Sequence, residues 1–224
     1  MLIFLLILII VVIFGPQFWA KRILKKYSRY REDFPGTGGE FAQHLLAQFK
    51  MYNVKVEISE TGDHYDPIDK TVRLIQSNLE GKSLTAVATA AHEVGHAIQD
   101  NINYQPFQTR IKLIQTAQIM EKLGAGLMVM IPVVAIFTHI PALGILMFIG
   151  GLMSLGTAVI VHLVTLPVEL DASFRRALPI LANYISKRDQ WAARRILTAC
   201  ALTYVASSLT SLLNLWRWLA ILRR

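Results

Sequence analysis

The chain has 224 residues, 54% hydrophobic and 17% charged, with a net charge of +8 and a mean hydropathy of +0.43. Soluble globular chains run about 45–50% apolar and about 25% charged, so a disordered chain is excluded and the balance leans toward a membrane protein. A single cysteine, Cys200, excludes a disulfide framework within the chain and the cysteine-rich zinc folds, so any metal must be held by histidine and carboxylate.

Residues 2–14, LIFLLILIIVVIF, are unbroken apolar, and the stretch continues to Ala20. That is just long enough, since about 20 residues cross about 30 Å of hydrocarbon. No basic residue precedes Leu2 and no small-residue cleavage site follows, so residues 1–20 read as an uncleaved anchor rather than a signal peptide. Lys21, Arg22, Lys25, Lys26, Arg29 and Arg31 follow at once. Beside an anchor such a cluster reads as a contact with anionic lipid and not with nucleic acid. By the positive-inside rule it places the N-terminus outside and residues 21–118 in the cytoplasm.

Residues 21–118 are the polar domain. Phe41 to Met51 repeats apolar residues at helical spacing, and Tyr52 to Ser59 alternates Val54, Val56 and Ile58 as a half-buried strand does. Thr61-Gly62-Asp63 signals a turn, Lys70 to Leu74 a second short strand, and Ser83 caps a helix running to about Asp100. Residues 119–166 read as a transmembrane hairpin of two spans, 119–138 and 142–166, whose glycines suit close helix packing in lipid. Residues 167–195 return to the cytoplasmic side, and 196–224 form a last transmembrane or membrane-associated helix.

His92-Glu93-Val94-Gly95-His96 is an H-E-x-x-H inside the predicted helix. At 3.6 residues per turn, positions i and i+4 point the same way, so both imidazoles can reach one metal. Glu93 lies one residue on, where its carboxylate reaches a water without being a ligand. The preceding run, LTAVATAA, is too apolar and small-residued for a solvent-facing helix, and a buried His and Glu need partners. A catalytic zinc takes a third protein ligand and keeps a fourth position open. Among the later acids Glu169 and Asp171 stand just past the hairpin, on the same side of the membrane as His92. Glu169 is the favoured ligand and Asp171 the alternative. In an α-helix Asp171 would point away from the metal, toward its i+4 neighbour Arg175, for an exposed ion pair.

HEVGHAIQD, the earlier Asp63-His64-Tyr65-Asp66-Pro67, and Leu166-Pro167-Val168-Glu169-Leu170-Asp171-Ala172-Ser173 together resemble the YugP-like family of neutral zinc metallopeptidases of bacterial membranes. The order of parts is also similar to that of HtpX-type membrane gluzincins. The resemblance implies His92, His96 and Glu169 as metal ligands, Glu93 as the catalytic glutamate and Zn2+ as the cofactor. One departure stands out: the HtpX pattern reads Glu-x-x-Ala-Asp, and Ser173 replaces the acid that would orient a ligand histidine.

The expected fold is thus a predominantly α membrane protein, with about four transmembrane helices and a small α+β, zincin-like cytoplasmic domain carrying the HExxH helix. The expected function is a zinc-dependent endopeptidase, multi-pass in the cytoplasmic membrane, cleaving membrane or membrane-associated proteins. A non-proteolytic zinc-binding adaptor is the alternative, but a purely structural zinc has no use for Glu93. A zinc transporter is a third reading, weakened because His92 lies on a polar domain and not at mid-membrane. The partners are protein substrates and the lipid bilayer, with no nucleic acid; no motif specifies a homo-oligomer or a membrane partner protein. A substrate held extended would lie along an edge strand, for which 70–74 is the candidate. His64 and Tyr65 either stabilise an oxyanion or, more simply, belong to a turn holding that strand. His162 reads as an interhelical hydrogen bond, His44 and His139 as surface residues, and Arg175 and Arg176 as surface anchors.

Overall fold

In the computed structural model, which describes residues 2–138, 161 and 164–203, helix α1 (Leu2–Lys26) leads into the polar domain. Helix α2 (Gly38–Gln48) starts three residues before the predicted Phe41 because Thr37 and Glu40 cap each other. Thr37 Oγ1 accepts from the Glu40 amide (3.2 Å), and Glu40 Oε2 accepts from the Thr37 amide (2.8 Å). This reciprocal arrangement satisfies two of the donors a helix start leaves open.

The sheet has three strands: β1 (Lys55–Ser59), β2 (His64–Asp66) and β3 (Thr71–Ile75). Their order is β1-β3-β2, with β1 parallel and β2 antiparallel to β3. Two expectations are corrected here. The segment read as a turn contains strand β2, and the strand read as an edge is the central one. Val72 and Leu74, two residues apart, share the face of β3 that turns into the core, and both are buried. In β1 the alternation is weaker than predicted: Val54 and Val56 are half-buried while Ile58 is exposed.

A short helix, α3 (Gln76–Leu79), precedes α4 (Leu84–Asn101). Ser83 caps α4 as predicted, its side chain accepting from the Ala86 amide (3.1 Å). Every residue from Leu84 to Ala97 is buried. Alanine and threonine in the first turns let α2 and the sheet approach the backbone closely, so α4 runs through the middle of the domain with the HExxH motif in its second half. Helix α5 (Gln105–Thr138) follows after a turn at Asn103, which takes a positive φ of 54°.

Helix α6 spans 164–181 and contains a π-helical stretch, Asp171–Ala177, where the Leu178 amide bonds to Ser173. Pro179 cannot continue the α-helical ladder, which suits a wide turn just before it. Helix α7 (190–203) lies beneath, with Ala193, Ile196 and Leu197 fully buried in the same core as Leu45, Val94 and Leu181. Arg31 bonds both oxygens of Asp189 (2.8 and 2.9 Å), tying the segment after α1 to the start of α7.

Among the described residues no helix is long and apolar enough to cross a membrane. The expectation of about four transmembrane helices is corrected on that finding. The side chains described in α1 carry Pro16 and four basic residues, Lys21, Arg22, Lys25 and Lys26. Those described in α5 include Arg110, Lys112 and Lys122. The start of the last apolar run is a core helix, α7. Most of the span expected at 142–166, His139, His162 and the run beyond 203 lie outside the described residues.

Candidate metal centre

His92 and His96 stand one turn apart on α4 with ring centroids 4.8 Å apart. Glu169 on α6 faces both: its Oε2 lies 3.2 Å from His92 Nε2 and 3.3 Å from His96 Nε2. All three side chains are 6% exposed or less, and their ligand atoms lie within 4.8 Å of one another. The helices can meet this closely because of Gly95, between the histidines. A Cβ there would come within 2.9 Å of the Ala172 carbonyl oxygen.

The outer sides of both rings are held. Ser173 Oγ donates its one proton to the Leu197 carbonyl (3.1 Å), so it accepts from His92 Nδ1 (3.0 Å). His96 Nδ1 lies 2.9 Å from Gln99 Oε1, and the Phe107 ring stacks on His96 with centroids 5.9 Å apart. With protons on both Nδ1 atoms, neutral rings turn their Nε2 lone pairs toward the Glu169 oxygen. A cation held by the three residues would stabilise that arrangement. A tetrahedral zinc with bonds of about 2.0–2.1 Å spaces its ligands about 3.3 Å apart, and the donor set fits.

The second oxygen of Glu169 is paired with Arg110 Nη1 of α5 at 3.0 Å. Burial alone would raise the Glu169 carboxyl, but in the metal-free site the facing imidazole nitrogens, where they carry a proton, and Arg110 outweigh it and hold the group well below its ordinary range. Glu93 is the opposite case. Burial pushes its carboxyl up to about 7; His92 opposes this, while the negative charges of Asp63 and Glu169 add to it. Asp63 is fixed nearby, accepting from the Ile75 amide (2.9 Å) and from Asn78 Nδ2 (2.8 Å).

Asp171 differs from expectation. It is buried, and its partner is Arg176 (Nε to Oδ2, 2.6 Å), not the exposed Arg175. The cause is the π-helical stretch: the wider turn brings the residue five places on over Asp171, where an α-helix would bring the fourth. Tyr65 donates to Asp100 (2.8 Å) at the C-terminal end of α4, and His64 Nδ1 contacts the Gly62 carbonyl (2.9 Å). His44 is exposed and bonded to the Tyr184 hydroxyl (3.0 Å). Sequence reasoning missed Gln99 and Arg110. The spacing of Gln99, three residues after His96 on one helix face, was a usable signal. For Arg110 there was none, because only the direction of α5 brings it to Glu169.

Residues 2–223 match the family described as "Putative neutral zinc metallopeptidase". The chain belongs to that family. A relative named "Putative membrane protease YugP", from Bacillus subtilis (strain 168), is 34% identical over 212 residues, covering 93% of this chain and 90% of the relative. No solved structure matches the chain. Zinc is the cofactor of a zinc metallopeptidase, and among the described residues His92, His96 and Glu169 are the group able to hold it.

Proposed function

We propose that this zinc metallopeptidase is a gluzincin-like endopeptidase acting on membrane or membrane-associated proteins, with its catalytic domain at the cytoplasmic face of the membrane. The observation that carries the chemistry is the convergence of His92, His96 and Glu169 beside a buried Glu93. The membrane setting is supported by the apolar run at 2–14, the basic cluster after it, and the name of the relative.

In this reading His92, His96 and Glu169 hold the metal. Zinc supplies a Lewis acid that polarises the scissile carbonyl and lowers the pKa of water toward about 7. Glu93 takes the proton of the attacking water and hands it to the departing amine nitrogen. Arg110 keeps one oxygen of Glu169 occupied, leaving the other for the metal. An extended substrate would add to the sheet at β2, whose outer side is unpaired among the described residues, and not at the central β3.

The test is Glu93→Gln in purified protein, assayed for bound zinc and for hydrolysis of an unfolded protein in detergent. Gln hydrogen-bonds water but cannot accept its proton. Zinc should stay while hydrolysis falls by at least about 10²–10⁴-fold. Turnover near that of the wild type would sink the mechanism, and zinc retention with no hydrolysis in either protein would favour the adaptor.

A further inference from the structure

We propose that Gln99, Asp171 and Arg176 form a positioning relay that sets the ring orientation and tautomer of His96 for zinc. The proposal rests on the zinc-site reading above and extends it to residues that touch no ligand atom of the metal.

Gln99 is completely buried, and its amide has one acceptor and two donors to satisfy. Gln99 Nε2 lies 2.9 Å from the Val168 carbonyl and 2.8 Å from Asp171 Oδ2. A carbonyl and a carboxylate have no protons to offer, so both amide protons are taken there. The reverse orientation would set the amide oxygen against two acceptors at those distances. Gln99 Oε1 therefore faces His96, 2.9 Å from Nδ1, and that ring nitrogen must carry the proton. The lone pair is left on Nε2, toward Glu169.

Asp171 is fixed in turn by Arg176, whose guanidinium also lies over the Tyr104 ring at 5.4 Å. The chain of contacts thus runs from a partly exposed arginine on α6 to a ring nitrogen on α4. Val168 and Asp171 flank Glu169 in sequence. The stretch of α6 that supplies one ligand therefore also orients another.

Outer partners of metal-bound histidines are commonly worth about 10–100-fold in metal affinity. Zinc affinity is measured by equilibrium competition with a chelator, alongside the visible spectrum of the cobalt-substituted protein. Gln99→Leu and Asp171→Leu should each weaken zinc by about 10–100-fold and shift the cobalt bands. The double variant should lose no more than the worse single one, because the two act through one hydrogen bond. Asp171→Asn keeps an acceptor for both Gln99 and Arg176 and should stay within about threefold of the wild type. Arg176→Gln, at the partly exposed end where folding is least at risk, should weaken zinc measurably and move the same bands. Unchanged affinity and spectrum in Gln99→Leu or Arg176→Gln, or losses that simply add in the double variant, would overturn the relay. Failure of the zinc reading itself looks different: the wild type would then bind no zinc in the same competition.

Discussion

Glu169 and Asp171 stand two residues apart on α6, both buried and both paired with an arginine, yet they face different atoms of α4. Glu169 turns an oxygen to the Nε2 atoms of His92 and His96, while Asp171 turns one to the amide of Gln99. An amide N–H donates, so Asp171 is satisfied by protein alone. A ring nitrogen whose neighbour already carries the proton offers a lone pair, and a carboxylate facing it calls for a cation between them. Neither burial nor charge separates the two acids. The proton inventory of the opposing atom does, and it marks Glu169 as the place for a metal.

The largest effect should come from removing that distinction. Glu169→Ala leaves two histidines without a third ligand, so metal analysis of the purified variant should find essentially no zinc, and hydrolysis should vanish. Full zinc occupancy in this variant would show that the contrast between the acids has been misjudged.

Glu93 extends the comparison to an acid for which burial outweighs the opposing pull of His92 and Arg110. Its folded-state carboxyl is raised from 4.5 to about 7 by burial, so the folded zinc-free protein holds a proton that the unfolded chain releases. The stabilisation is present at low pH and is lost as pH rises through that window. Each tenfold change in proton affinity is worth about 1.4 kcal/mol, so the zinc-free protein should lose up to about 3 kcal/mol on this account by about pH 8. Glu93→Gln should be free of this loss, and thermal melts of both proteins after chelation, from about pH 5 to about pH 8, should diverge. Parallel curves would mean that Glu93 is not held in a desolvated site.

Both acids depend on how closely α6 approaches α4. Gly95→Ala puts a methyl group against the Ala172 carbonyl, and overpacking of this kind costs about 1–3 kcal/mol. Melting temperature and zinc affinity should fall together, since the displaced backbone carries Glu169. The smallest effect is expected at Arg175, exposed and next to the arginine that Asp171 uses. Arg175→Ala should change stability by less than about 0.5 kcal/mol and leave zinc affinity unaltered, as denaturant titration and chelator competition would report.

These contrasts follow what the sequence could and could not convey. The i, i+4 histidines, the Ser83 cap and the small residues ahead of the motif are local signals, and α4 follows from them directly. Strand β2 has three residues and exists only because β3 pairs with it, so no periodicity could announce it. The same pairing turns β3 from an edge into a centre. The expected pairing of Asp171 with Arg175 rests on α-helical spacing, a rule that fails inside a π-helical stretch. The apolar composition of 2–14 is plain, but composition says nothing of where a helix goes next: α1 delivers Ala20 and Ile23 into the core of the polar domain. Ser173, the departure from the related pattern, does reach His92, because a hydroxyl that gives its proton to a backbone carbonyl can still accept from the ring.

Counted in residues, the wide turn of α6 holds one more than an α-helical turn would need to bring an arginine to Asp171. Removing Arg175 alone would leave Glu169, Asp171 and Ser173 at their present spacing and bring the next arginine to the fourth place after Asp171, the reach of an ordinary helix.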